Sequence, residues 1–265
     1  MDEETARALG IDTSVTHPAR RYNYLLGGTD NFAADRESGD LILRAFPEVR
    51  DTVRENRRFL ARAVRFLAAE AGVDQFLDIG TGLPTADNTH EVAQRANPAA
   101  RVVYVDNDPL IAHHAQALLT STPEGRTHYV EADLRNPAAI LGHPALRDVL
   151  DPGRPVAVVL AAVLHFFERD AEAEGIVRTI VSSLPPGSYL VASHATVDTA
   201  PPEVRAASEA LKLDAWPRTR EQFGRFFAGL ELVPPGIVLV SDWRPEGEPL
   251  PTPQIGGYAG VGRKP

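Results

Sequence analysis

Asp78, Asp106, Asp133 and His165 each stand at or just beyond the end of a separate apolar run in the sequence. In an open sheet covered by helices, ligands bind outside the carboxyl ends of the strands, so these four side chains would converge on one site. Asp106, with Asn107 beside it, suits a ribose, whose two hydroxyls would both donate to the carboxylate. Asp133 and Leu134 suit an adenine: the carboxylate accepts from the amino group while the neighbouring N–H faces a ring nitrogen. Asp78 would hold a turn or reach the amino-acid end of a ligand. Aspartate also favours ordinary strand-end turns, so the set carries the reading and no single member does.

The stretch that organises them is Asp78-Ile79-Gly80-Thr81-Gly82-Leu83-Pro84. Gly80 and Gly82 permit a tight reversal, and a ligand can then approach the main-chain N–H groups around Thr81. The third glycine of a dinucleotide fingerprint is absent, which favours a nucleoside ligand without a pyrophosphate. An NAD-dependent oxidoreductase is further disfavoured because no Tyr-Lys proton-donor pair is evident; the only lysines are Lys212 and Lys264.

Positioning these residues requires alternating strands and helices. Apolar runs predict strands up to Asp78, over Arg101–Val105, Thr127–Glu131, Pro155–Leu164 and Ser188–Ser193. The run Val156–Leu164 lacks alternation, as a central parallel strand covered on both faces does. Helical spacing predicts helices over Thr85–Ala96, Leu110–Thr120, Ala171–Leu184, Pro201–Leu213 and Thr219–Phe227. Pro137–Leu150 reads as a loop with a short helix. Leu230–Val240 is interrupted by Pro234-Pro235-Gly236, and Tyr258–Gly262 ends the sheet after a linker over Pro245–Gly257. The alternation indicates a doubly wound α/β sheet, Rossmann-like, over 72–265. Residues 1–71 read as an arm and a helical cap, with helices from Pro18 to the Gly27-Gly28 pair, over Ala33–Ala45 and over Asp51–Ala71.

His165 is the first candidate for a general base and His194, after the next strand, the second. His17 and His90 are candidates for pocket walls, whereas His113 and His114 fall inside a predicted helix and read as surface. The segment from Arg20 to Phe32 is dense in groups that contact ligands: Arg20, Tyr22, Asn23, Tyr24 and Asn31. It predicts a cap over the pocket, with Phe166 and Phe167 forming a wall. Trp243-Arg244 would pack there or end a strand. No spacing resembles a metal cluster, and no metal is expected.

The chain has 265 residues, 43% of them hydrophobic and 24% charged, enough for one large domain with a real core. A formal net charge of -9 argues against general nucleic-acid binding. Cysteine is absent, which excludes disulfides and cysteine-based zinc sites. The acidic start Met1-Asp2-Glu3-Glu4 and the lack of a long apolar run predict a cytoplasmic protein without a membrane span.

Several long motifs carry a resemblance: Pro18-Ala19-Arg20 through Asn31-Phe32, Phe76 through Pro84, Val105-Asp106-Asn107-Asp108-Pro109, Trp243-Arg244-Pro245, and Gly257 through Pro265. In the same order, over nearly the whole chain, they resemble the actinobacterial S-adenosyl methyltransferase family once catalogued as a domain of unknown function, within the class I S-adenosylmethionine-dependent methyltransferases. The resemblance implies a seven-stranded sheet with one antiparallel strand and S-adenosylmethionine as cofactor. It assigns the cofactor turn to Gly80 and Gly82, the ribose to Asp106 and the adenine contact to Asp133. It supplies no acceptor. Two readings follow: methyl transfer to a small molecule, or a catalytically silent sensor or regulatory partner that binds S-adenosylmethionine or its demethylated product. Assembly into a homo-oligomer is left open.

Overall fold

The computed structural model describes residues 1, 3–118, 120–211, 214–247 and 256–265. Four helices lead the chain: α1 (Glu3–Ala8), α2 (Pro18–Leu26), α3 (Ala33–Ala45) and α4 (Val49–Ala69). Then β1 (Gln75–Ile79), α5 (Thr89–Ala96), β2 (Arg101–Asp106), α6 (Pro109–Leu118) and β3 (Arg126–Glu131) follow. Two short helices, α7 (Pro137–Gly142) and α8 (Pro144–Val149), precede β4 (Ala157–Ala161), α9 (Asp170–Ser183) and β5 (Tyr189–Thr196). The tail contributes α10 (Pro202–Leu211), α11 (Arg220–Gly224), β6 (Glu231–Leu232), β7 (Val238–Leu239) and β8 (Gly256–Arg263). Leu119, Lys212, Leu213 and residues 248–255 of the expected linker lie outside the described residues.

The sheet order is β3-β2-β1-β4-β5-β8-β6, with β7 also on β8. β1 to β5 are parallel, and β8 runs antiparallel to β5. β6 and β7 both pair β8, at Leu232↔Gly262 and Val238↔Ala259. They are two halves of one edge strand that Pro234, Pro235 and Gly236 interrupt, since proline cannot donate to the ladder. Eight segments therefore occupy seven positions. Strand order reverses between β1 and β4, and this is the switch point where open α/β sheets bind ligands.

Both faces of the sheet are covered. On one, Phe59, Leu60, Ala63, Val64 and Leu67 of α4 pack against Phe76, Val102, Val159 and Val191. This stripe recurs at helical spacing, which ties α4 to the sheet layer. Within the span 1–71, α2 and α3 also reach the cavities at the strand ends. Trp243 is buried edge-on between Phe59 and Phe66, and Arg244 lies 3.8 Å from the Phe66 ring centre. That pair packs on α4 and not on the arm. α7, α8 and α9 cover the opposite face through Ile140, Leu146, Ile176 and Ile180.

Two expected elements shift. The helix after the glycine turn starts at Thr89 and not near Thr85, because Asn88 and Glu91 form a capping box there. The central strand stops at Ala161 and not Leu164, because Ala162 takes a left-handed conformation at φ 54. His165 therefore sits on a 3-10 turn, Leu164–Phe166. Among the described residues, no helix is long and apolar enough to cross a membrane.

Candidate functional site

The glycine turn leaves β1 at the switch point. Gly80 and Gly82 have φ of 74 and 68, left-handed values that side chains rarely adopt. A Cβ on Gly80 would also stand 2.6 Å from the Val163 side chain. The turn is thus closed against the end of β4 and shaped by the absence of side chains.

Asp78, Gly80, Thr81, Gly82, Asp106, Asn107, Asp133 and Leu134 all line one cavity of about 420 Å³. Asp78 is buried and accepts a hydrogen bond from Thr89 Oγ1 at 2.6 Å. Burial pushes its carboxyl up to about 6, and the Thr89 hydrogen bond opposes that rise. Asp106 accepts from the N–H groups of Gly82 at 2.9 Å, Asn107 at 2.8 Å and Asp108 at 3.2 Å. Burial raises its pKa as well, against these backbone donors. A carboxylate has about four lone-pair sites, so Asp106 retains acceptor capacity for a ligand. Asp133, more exposed, accepts from Arg135 N–H at 2.8 Å.

A second cavity of about 170 Å³ lies beside the first, with His165 and His194 on its wall. Pro18, Tyr22, Asn56, Ala162 and Phe166 line both. A directional hydrogen-bond chain runs through this shared wall. Ala162 N–H donates to Ser193 Oγ (3.0 Å), Ser193 Oγ to Asn56 Oδ1 (2.5 Å), Asn56 Nδ2 to Tyr22 Oη (3.0 Å), and Tyr22 Oη to the Val53 carbonyl (3.0 Å). It joins the ends of β4 and β5 to α4 and α2, and holds Ala162 in its strained conformation.

The two histidines differ. His194 Nε2 is 2.9 Å from Arg218 Nη1, and its Nδ1 is 2.8 Å from the Ala195 carbonyl. A guanidinium only donates, so Nε2 accepts and Nδ1 carries the proton. Burial, with Arg218 adding to it, drives the His194 pKa down to about 4. Its free lone pair is taken, which corrects its expected place as a candidate base. His165 Nδ1 is buried without a partner, and burial followed by His194, Arg21 and Arg218 lowers its pKa well below the ordinary value.

The arm separates by helical period. Pro18, Tyr22 and Leu25, at i, i+4 and i+7 of α2, face the cavities together with Arg21. Arg20, Asn23, Tyr24 and Asn31, expected at the acceptor or lid, line neither. Arg20 makes a two-bond ion pair with buried Asp108, at 2.7 and 2.8 Å. Asn31 donates to Asn23 Oδ1 and the Gly28 carbonyl, and Tyr24 Oη donates to Asp40. These contacts hold the arm in place. His17 caps α2 and lines the larger cavity, whereas His90 is buried against Tyr104 Oη and lines neither. His113 is exposed, and His114 lies 3.4 Å from Asp30.

Sequence reasoning missed Asn56 and Arg57, which read as parts of an amphipathic core helix. Arg57 lines the larger cavity and lowers the Asp78 pKa through its charge, so a cation and a carboxylate face the same end of that cavity. The signal available was a polar pair breaking the apolar stripe of α4. Among the described residues, no cluster of three or more His, Cys, Asp or Glu could hold a metal.

No curated protein matches the chain. A DUF574-family protein of known structure from Streptomyces avermitilis is 48% identical, with TM-score 0.90, over 96% of this chain and 99% of that one. A provisionally named methyltransferase from Thermobifida fusca is 44% identical, with TM-score 0.87, over 96% and 97%. Magnesium protoporphyrin IX methyltransferase from Synechocystis, 12% identical with TM-score 0.53 over 92% and 93%, shares the fold alone. The sequence pattern described as S-adenosyl methyltransferase matches residues 4–265, and the chain belongs to that family.

Proposed function

We propose that the larger cavity holds S-adenosylmethionine, the cofactor of the family, and that the protein passes its methyl group to a small molecule seated in the smaller cavity. The observation that carries this reading is the meeting of Gly80, Gly82, Asp106 and Asp133 in one cavity at the switch point, with a second cavity against its wall. The donor set fits the cofactor. Asp106 receives the ribose hydroxyls, and Asp133 with Leu134 receives the adenine. Arg57 and Asp78 offer opposite charges to a zwitterionic amino-acid end. When bound, the cofactor supplies a methyl group already activated by a positively charged sulfur.

The protein then has to position the acceptor in line and exclude water. α2 supplies the cover through Pro18 and Tyr22, and Phe166 with Ala162 shapes the passage between the cavities. His165, with an unengaged ring nitrogen, takes a proton where the acceptor must lose one. We place this activity in the cytoplasm. Calorimetry with S-adenosylmethionine, S-adenosylhomocysteine and NAD tests the cofactor assignment: the first two should bind and NAD should bind more weakly, and tighter NAD binding would sink it. A silent sensor would share every one of these contacts, so absence of product from a broad acceptor panel would favour that alternative.

A further inference from the structure

The smaller cavity has a composition of its own. Its walls include Leu25, Ile42, Phe46, Val53 and Val240, drawn from α2, α3, α4 and the sheet edge. The polar groups on it are mostly engaged with one another. Arg21 is paired with Asp214 at 2.6 Å and donates to Ser38. His194 is held by Arg218, which is itself paired with Asp170 at 2.9 Å. Ser193, Asn56 and Tyr22 are bound in the chain through the shared wall. His165 differs from these: its Nδ1 is buried and has no partner among the described residues.

From this arrangement we infer that the acceptor is an uncharged single-ring molecule bearing one hydroxyl of phenol or enol type, seated in the smaller cavity with that hydroxyl at His165. The inference rests on the cofactor reading above and names its acceptor class. The apolar walls match an apolar ring, and the buried, unpartnered Nδ1 of His165 matches a hydroxyl. No carboxylate without a partner lines this cavity among the described residues, so an ammonium acceptor would be buried without a counter-ion. Arg21 is committed to Asp214, so a carboxylate acceptor finds no free cation either. A phenolic oxygen is neutral on entry and negative only as it reacts. Arg21 and Arg218, the cations that face His165 from α2 and from the segment before α11, are each paired with a carboxylate, so a neutral acceptor leaves those pairs intact. In the step itself the hydroxyl proton goes to His165 and an oxygen lone pair forms the bond to the methyl carbon. The carbon–sulfur bond breaks with both electrons left on sulfur, which becomes a neutral thioether.

The test uses the full chain saturated with S-adenosylhomocysteine and three probes of similar size: 4-methylphenol, benzylamine and benzoate. By calorimetry 4-methylphenol should bind at least tenfold more tightly than either charged probe. Val49→Trp, which fills a wall remote from the glycine turn, should weaken it at least tenfold while S-adenosylhomocysteine affinity stays within twofold. Ala215→Leu serves the same purpose if the tryptophan variant does not fold. Equal or tighter binding of benzylamine or benzoate overturns the inference. So does 4-methylphenol binding that neither filled variant weakens. Failure of S-adenosylhomocysteine itself to bind falls instead on the cofactor reading.

Discussion

The larger cavity is walled by carboxylates and backbone N–H groups at the ends of β1, β2 and β3, whereas the smaller is walled by apolar side chains of α2, α3 and α4 closing on the end of β5. In the first, each polar group is delivered by the strand that precedes it, and its chemistry follows from residue type. In the second, Arg21, His194 and Ser193 have the residue types of an active site and are consumed by neighbours. Among the described residues, only His165 retains an unpaired ring nitrogen there. A polar residue beside a cavity is available to a ligand only when the fold has left one of its hydrogen-bonding positions unfilled.

The strongest way to break this contrast is His165→Asn. Turnover should fall about 10²–10⁴-fold, the range for a lost proton-transfer group, while cofactor affinity stays within about threefold. Because burial lowers the His165 pKa, the wild-type rate should stay flat from neutral pH down through 6.5 and decline only in stronger acid. An inflection near 6.5 would mean that another group carries the proton.

Arg20→Ala probes what holds the wall that α2 supplies to both cavities. Removing Arg20 leaves buried Asp108 without its guanidinium, with only the Leu110 N–H and His17 beside it, and stability should drop by about 3 kcal/mol in chemical denaturation. Hydrogen exchange in α2 should rise more than in β1 or β4. A uniform change would show that the arm is no separate layer.

Asp106→Ala should weaken S-adenosylmethionine binding by about 1–3 kcal/mol, the scale for losing a charged hydrogen-bonding partner. Binding of 4-methylphenol in the smaller cavity should change little. Unchanged cofactor affinity would remove Asp106 from the ribose.

A final comparison sets a buried acid of the first cavity against a buried base of the second. Asp78 has its folded pKa raised from 3.8 to about 6, so between those values the folded state holds the extra proton and stability falls as pH rises. His194 has its folded pKa lowered from 6.5 to about 4, so the unfolded state holds the extra proton and stability rises with pH. The two slopes oppose each other over nearly the same window, each on the order of 3 kcal/mol across it. Asp78→Asn should therefore make the protein lose stability more steeply between pH 6.5 and 4 than the wild type, as read by thermal melts. Parallel pH profiles would show that Asp78 ionises normally.

Gly80, Gly82, Asp106 and Asp133 were legible because each follows an apolar run, and strand ends in a doubly wound sheet meet at one edge whatever the details of packing. The same logic brought His165 close to the site, although the strand ends earlier than its apolar run. Ala162 carried no signal, because alanine seldom adopts φ 54 and only the ladder to Ser193 holds it there. Asn56 and Arg57 were hidden inside a helix whose apolar stripe explained its packing without them.

The sequence by itself determined the doubly wound sheet, the glycine turn and the carboxylates around it, since these depend on local backbone geometry and on the order of strands. Tertiary structure decided which face of α2 lines the cavities and which histidine keeps a free nitrogen. The rotation of α2 is set by Arg20 on Asp108, 88 positions away, and His194 is neutralised as a base by Arg218, 24 positions on. Contacts of that span depend on how the whole chain packs, and no local pattern encodes them.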